Sequence, residues 1–550
     1  MANNAELTKQ RYGNPFDIVK VLERAQVEGY DILTEDDLFI CKWVGLYTHR
    51  HERGYFMLRT RQPNGFITPE QLEAIADIAE TQNRGFADIS TRQNIQLHWV
   101  HVSDAFRTLQ RLQAVGITTQ GACGDITRNV VGCPVAGVDR EELFDASPVV
   151  RDVTAALVGD LAYANLPRKY KISIAACRTQ CSHPEIHCVG LVGTTRAMEG
   201  RQDVGFDVRV GGGLSTQPFF SQRINVFVLP EDAVHLIRQI TELWRDTPAY
   251  REKRHHARIK YLMHDWGVEK FRHALQERMG RALDPSPPEF VELAEAYRDH
   301  VGVHAQKQAG LYYVGAPVLV GRITSAQMKK VAELCRRYGD GRTIRLTNRQ
   351  NILLLNLPEA HVDTVLSGLA GVGLSINAHP VRRSMVTCTG TEFCKLAITE
   401  TKARSRQIVE YLERRVRLDE PLRLHLNGCP NACAQYQIGH IGLMGSKTKV
   451  DGQLVDAYDI FVGGQLGRRA AFNHAVLRKV PAADVAKRLE QLFVGYNAQR
   501  RAHEAFTAWA ERVGDPELIR LLSGGPSHPL APREDVPLPP TPAANGPVDD

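Results

Sequence analysis

The stretch "ISTRQNIQLHWV" at residues 89–100 returns as "LTNRQNILLLNL" at residues 346–357, an offset of 257 residues. Two more segments return in the same order. "GFITPEQLEAIADIAE" (65–80) reappears as "GRITSAQMKKVAELCR" (321–336), and "VGGGLS" (210–215) as "VGGQLG" (462–467), at offsets of 256 and 252. Three ordered matches at a near-constant offset mean that the chain consists of two related halves. Within each half, Thr68 and Pro69 suit the cap and first turn of a helix with Leu72, Ile75 and Ile78 on one face. "NIQLHWV" and "NILLLNL" read as strands. Thr247–Pro248 is expected to open a helix through "KRHHARIKYLMHDWG", and "DVAKRLEQLFVGYNAQRRAHEAFTAWAERVG" to form another. Strands followed by helices, twice over, predict an α+β fold. No G-x-G-x-x-G follows a strand to open a helix, which argues against a dinucleotide-binding domain.

A chain of 550 residues is too long for one ordinary core, so two to four domains are expected. With 43% hydrophobic and 24% charged residues, the composition is that of a soluble globular protein. No apolar run is long enough for a transmembrane helix. The start, "MANNAELTKQRYGNPFD", lacks the apolar segment of a signal peptide, so a cytosolic protein with reduced thiols is expected. Net charge is +6, and the 28 residues from Ser523 hold one Arg and four acids, leaving +9 on the body. That balance favours anionic ligands or acidic partners. There is no basic stripe with interleaved aromatics and no zinc-finger spacing, which argues against nucleic-acid binding. Eight prolines make the tail a disordered or polyproline-like segment without chemistry.

Eleven cysteines in so long a chain do not form a disulfide scaffold. Two pairs stand out. Cys388 and Cys394 form C-x5-C, and Cys429 and Cys433 form C-x3-C after a gap of 34 residues. Four thiolates suit zinc or an iron–sulfur cluster, and the five-residue gap is long for a zinc knuckle. A further segment, "CRTQCSHPEIHC", offers Cys177, Cys181, His183, His187 and Cys188, and reads as a structural loop rather than a metal site.

Taken together, "TGTEFCKLA", "NGCPNACAQ", "RNVVGCPVAG", "NLPRKYK", "VGGGLS" and the two "RQN" repeats resemble the assimilatory sulfite and nitrite reductases that carry sirohaem and a 4Fe–4S cluster. The likeness spans about residues 11–515 and is nearest to the ferredoxin-dependent sulfite reductases. It implies two ferredoxin-like half-domains (46–115 and 291–375) and two sirohaem/4Fe–4S-binding α+β domains (116–290 and 376–520) related by a pseudo-twofold axis. An N-terminal extension (1–45) and the Pro-rich tail (521–550) complete the chain. By the same resemblance, Cys388, Cys394, Cys429 and Cys433 hold the cluster, Cys433 also ligates the haem iron, and Asn431 lies against the macrocycle.

Sirohaem carries eight carboxylates and so needs cations and backbone donors. The resemblance points to Arg92 with Asn94, to Arg349 at the equivalent repeat position, and to Gly212 and Gly213, with Arg258 and Lys260 as weaker candidates. Above the iron it implies Arg59, Arg128, Lys169 and Lys171, groups able to bind an oxyanion and protonate its departing oxygens. Cys188 departs from the family, standing where Asn is expected. Tyr47 and Cys123 match positions that form a covalent thioether in some members. The implied activity is six-electron reduction of sulfite to sulfide with electrons from ferredoxin, an acidic protein, by a monomer. Nitrite reduction to ammonia is the alternative.

Overall fold

Both copies of the repeated segment open on the same helix cap. Thr68 accepts from the Gln71 amide while Gln71 reaches back to the Thr68 N–H, and Thr324 and Gln327 repeat this reciprocal pair. The helices that follow, Pro69–Gln82 and Ser325–Tyr338, bury Leu72, Ile75 and Ile78 on one side and Met328, Val331 and Leu334 on the other. They pack against each other in one core, with Arg336–Glu73 (2.7 Å) and Lys329–Asp77 (2.9 Å) bridging the exposed side. The computed structural model describes residues 4–524 apart from 178, 180, 199 and 288–297. The Pro-rich tail beyond 524 and the expected domain boundary at 290–291 lie outside the described residues.

Each half contributes a small antiparallel sheet, and the two sheets exchange an edge strand. The first runs Leu46–Thr48, Tyr55–Arg59, Ile95–His101, Phe86–Ile89, then Arg322–Thr324 from the second half. The second runs Gly302–Ala305, Leu311–Ala316, Ile352–Pro358, Ile344–Leu346, then Phe66–Ile67 from the first half. "NIQLHWV" and "NILLLNL" are the central strands of these sheets.

Two larger sheets repeat one another as well. Val131–Gly132, Ile172–Ala175 and Val189–Met198 run parallel, followed by antiparallel Arg201–Val210 and Gln222–Val228. Met385–Thr387, Leu424–Asn427, Ile441–Val450, Gln453–Val462 and His474–Pro481 have the same order and directions. Each packs helices over a core of its own. The architecture is therefore α+β with a doubled pseudo-twofold plan.

A buried charge cluster joins the parts. Asp88, 1% exposed, accepts from Arg322 Nε at 3.0 Å, pairs with His98 at 3.0 Å and lies 3.7 Å from the Lys402 ammonium. Arg322, on the exchanged strand, also binds Glu392 at 2.9 Å, two residues before Cys394. Burial disfavours ionised Asp88, but Lys402, Arg322 and His98 outweigh it and hold the carboxyl well below its ordinary range.

Three expectations need correction. The helix expected from Pro248 stops at Glu252, because Lys253 is extended, and a new helix, Ile259–Met279, starts after Arg258. The C-terminal helix breaks at Arg500, which is extended, into Val485–Gln499 and Phe506–Leu522, and the second segment is itself interrupted at Gly514, whose φ is 72°. The Tyr496 hydroxyl donates to Glu504 O (2.8 Å), and the Phe506 and Trp509 rings fold back onto Tyr496. The second helix also takes in residues 521–522, which were expected to belong to the tail. No helix among the described residues is long and apolar enough to cross a membrane.

Candidate functional site

Parallel strands bring the four cysteines to one edge. Met385–Thr387 ends at Cys388, and its neighbour Leu424–Asn427 runs straight into Gly428 and Cys429. The short helix Gly390–Phe393 then delivers Cys394, whose N–H donates to Gly390 O at 3.0 Å. Gly428 must be glycine here, since a Cβ would sit 2.9 Å from Thr399 O, and its N–H donates to Cys388 Sγ at 3.3 Å. Asn427 pins the return of the loop by accepting from Tyr436 N at 3.1 Å. The first half-domain braces the same loops, with Arg50 donating to Cys394 O (3.1 Å) and Ala397 O (2.7 Å) and Thr91 Oγ1 to Cys433 O (2.8 Å).

Cys433 is the exposed member of the four. Burial raises the thiols of Cys388 (to about 12), Cys394 and Cys429, and the nearby Cys433 raises each further. On its other side Cys433 faces a basic cleft: it favours the charged forms of Arg59, Lys169 and Lys171. A metal or cluster inverts such thiol repulsion, because its own positive charge favours thiolates. The four-cysteine set therefore fits an iron–sulfur cluster, with Cys433 at the wall between it and the cleft.

The cleft is cationic without internal compensation. Lys169 and Lys171 flank Tyr170, which bridges to Thr127 and buries its ring in the core just before the strand Ile172–Ala175, and Cys433 acts on both ammonium groups. Burial depresses Lys169 to about 7 and Lys171 well below its ordinary value, and Arg258 and Arg92 respectively add most to this. Burial likewise lowers Arg92 to about 9, with Arg128 the next cause. The largest charged perturbers of these three are arginines, Arg258, Arg92 and Arg128, and no carboxylate is among the causes. The Nε atoms of Arg59, Arg92 and Arg258 are buried without a hydrogen-bond partner. Uncompensated cations with unused donors are what a polycarboxylate ring and a small oxyanion require, so the residues fit sirohaem.

Three of the arginines are held in place. Gly124 O accepts from Arg128 Nε (3.1 Å) and Nη2 (2.9 Å). Arg92 Nη1 meets His187 Nε2 at 3.0 Å, and Nη2 donates to Asn129 O. Arg59 Nη1 donates to Cys123 Sγ at 3.3 Å and lies over the Tyr47 ring, 5.5 Å from its centre. Burial, followed by the neighbouring Cys123, pushes Tyr47 up to about 12.

Other residues serve differently. Asn94 spends both ends of its amide inside the protein, on Ser90 and Thr60 O. The space at Gly212 and Gly213 is taken by protein: added Cβ atoms would sit 2.6 Å from Glu185 O and from Arg258 Cζ. Arg258 and Lys260 fasten this loop through Leu214 O (2.9 and 3.4 Å). Asn431 points to Cys429 Sγ at 3.6 Å. Arg349 perturbs His183, His425 and His440, beside the turn where Asn348 donates to Cys181 O. His187, the partner of Arg92, sits in the segment read as a loop, and Thr91 was signalled only by its place in the repeat.

Family models reach the same architecture. The nitrite and sulphite reductase 4Fe-4S domain matches residues 123–283 and 379–527, and the nitrite/sulfite reductase ferredoxin-like half domain matches 47–115 and 304–372. The chain belongs to the nitrite and sulphite reductase family. It is an oxidoreductase of a family that uses sirohaem and a 4Fe–4S cluster. An assimilatory ferredoxin-dependent nitrite reductase of Haloferax mediterranei is 36% identical over 523 residues, covering 90% of this chain and 89% of that one. Sulfite reductase [ferredoxin] 1 of Mycolicibacterium paratuberculosis is 35% identical over 518 residues, covering 89% and 91%. The solved structure of the Mycobacterium tuberculosis NirA protein superposes with a TM-score of 0.88 at 34% identity, covering 94% of this chain and 97% of that one.

Proposed function

We propose that this chain reduces sulfite to sulfide by six electrons taken from ferredoxin. The observation that carries the reading is the pair Lys169 and Lys171, both facing a cleft already lined by arginines and bordered by Cys433. Sulfite can carry two negative charges and three oxygens, nitrite one and two. An additional ammonium in a desolvated cleft favours the more highly charged anion. When bound, the cluster and sirohaem supply electrons and the iron at which the anion is held. The residues do the rest. Arg59 and Arg128 orient oxygens with guanidinium groups fixed by Cys123 and Gly124 O. Lys169, depressed to about 7 by burial, can give up a proton near neutrality, so it is suited to protonating oxygens that leave as water. Cys388, Cys394, Cys429 and Cys433 are proposed as the cluster ligands, with Cys433 shared with the haem.

Nitrite reduction to ammonia is the second reading, favoured by the name of the Haloferax relative. Steady-state turnover of both anions with reduced ferredoxin decides between them. A higher kcat/KM for sulfite is expected, and a strong preference for nitrite would reverse the assignment.

A further inference from the structure

The pseudo-twofold axis carries the cysteine edge of the second large sheet onto an edge of the first. Cys133 follows Val131–Gly132 as Cys388 follows Met385–Thr387. Cys177 and Cys181 follow Ile172–Ala175 at the spacing by which Cys429 and Cys433 follow Leu424–Asn427. The bracing is copied too: Asn348 donates to Cys181 O as Thr91 donates to Cys433 O. Three buried thiols thus stand at the mirror position of the cluster site.

Their geometry differs from that of the cluster cysteines. The ligating atoms of Cys133, Cys181 and His300 all lie within 4.8 Å of one another, and Cys177 Sγ is 3.7 Å from Cys181 Sγ. A tetrahedral ion with metal–sulfur bonds of about 2.3 Å has sulfur–sulfur edges of about 3.8 Å. A cubane places iron and sulfide between its cysteines and spreads them further. Among the described residues the four cluster cysteines form no such tight group.

We propose that Cys133, Cys177, Cys181 and His300 hold a single tetrahedral divalent ion of the zinc class. His300 is the independent witness. Its ring is 3% exposed, its Nε2 is buried without a hydrogen-bond partner, and Nδ1 meets the Tyr313 hydroxyl at 3.4 Å. A buried, unpaired ring nitrogen is destabilising, and a bond to a metal removes that cost. Its backbone φ of 60° is in the left-handed region, an unfavourable conformation for a residue with a Cβ. Behind it, Arg298 donates to the Tyr313 hydroxyl (3.0 Å) and binds Asp139 (2.8 Å). Such a chain orients a ligating imidazole. Val135, Ala136, Leu353 and Leu355 keep the pocket apolar. The ion would cross-link the first large domain to the second half-domain, which supplies His300.

The test is metal analysis of the holoenzyme purified without chelators from zinc-replete cells. About one zinc per chain is expected beside the cofactor iron, and zinc-edge X-ray absorption should show three sulfurs at about 2.3 Å and one nitrogen at about 2.0 Å. Cys181→Ser and His300→Gln should each lose that zinc while keeping the visible cofactor spectrum. If either variant fails to fold, the absorption spectrum of the native protein decides alone. The proposal is overturned by a zinc-free native protein, by four additional irons with sulfide, by a Cys177–Cys181 disulfide in the native peptide map, or by zinc retained in both variants.

Discussion

Replacing Asp88 by Asn removes one negative charge from a site 1% exposed and leaves two cations there. Arg322 keeps Glu392 and Lys402 keeps a hydrogen bond to Val320 O, but Lys402 loses its carboxylate at 3.7 Å. At an effective dielectric of about 20, that pair alone is worth roughly 4.5 kcal/mol before solvation is counted. Breaking a buried pair by removing one partner costs about 3–5 kcal/mol. With a urea m-value of about 3 kcal/mol/M, the first unfolding transition should move down by about 1–1.7 M. The assay is urea titration followed by far-UV circular dichroism and by cofactor absorbance. Arg322 ties this cluster to Glu392 in the Cys394 loop, so the two probes should shift together. A second variant carrying Lys402→Met as well should recover part of the loss, since an apolar side chain leaves no charge unpaired. The native carboxyl is held low, so the stability it confers is present above about pH 4 and is lost as pH falls through its depressed pKa. A midpoint within about 0.3 M of the native protein, or no recovery in the double variant, would refute this account of the cluster.

Other outcomes follow from the cleft. Lys171→Asn removes a charge-assisted contact of about 1.5–3 kcal/mol, so kcat/KM for sulfite should fall roughly 10- to 140-fold and more than that for nitrite; an unchanged ratio assigns substrate choice elsewhere. Lys169 is depressed to about 7, and bound carboxylates or anions can only raise it, so kcat/KM should be flat at low pH and decline above pH 7 as the ammonium deprotonates. Lys169→Arg should abolish that decline, and an alkaline decline kept at the same pH in the variant contradicts it. Cys433→Ser should keep the native circular dichroism while losing the coupled haem–cluster absorption; an unaltered visible spectrum removes Cys433 from its bridging role. Peptide mass spectrometry should find the Tyr47 and Cys123 peptides joined with loss of two hydrogens, whereas two unmodified linear peptides exclude the bond.

The duplication was legible because its signals are local. Thr68 and Gln71, or Thr324 and Gln327, make a cap readable from four residues, and the "RQN" segments announce a turn and a strand. The strand exchange was not legible, since Phe66–Ile67 and Arg322–Thr324 are too short to show any periodicity. Equivalent motifs also proved unequal in place. Arg92 and Arg349 share one context, yet the axis sends the first to the Cys433 side and the second to the Cys181 side. The segment "CRTQCSHPEIHC" could not declare its partners, because Cys133 and His300 reach Cys177 and Cys181 only through the parallel sheet and the second half-domain. The break at Lys253 was hidden by residues that are good helix formers on both sides.

The exchanged strands set a timetable for synthesis. Phe66–Ile67 completes a sheet only when Ile344–Leu346 exists, a segment made about 278 residues later. At the usual elongation rate of about 5–20 residues per second, that is a wait of roughly 14–56 s on the ribosome. Phe86–Ile89 waits almost as long for Arg322–Thr324. Through that interval the nascent first half presents a strand edge that the finished protein covers, and an uncovered edge invites pairing with another chain. The duplicated plan thus gives a protein whose first half stays unfinished until the second has been made, and which cannot be divided between its repeats into two self-sufficient pieces.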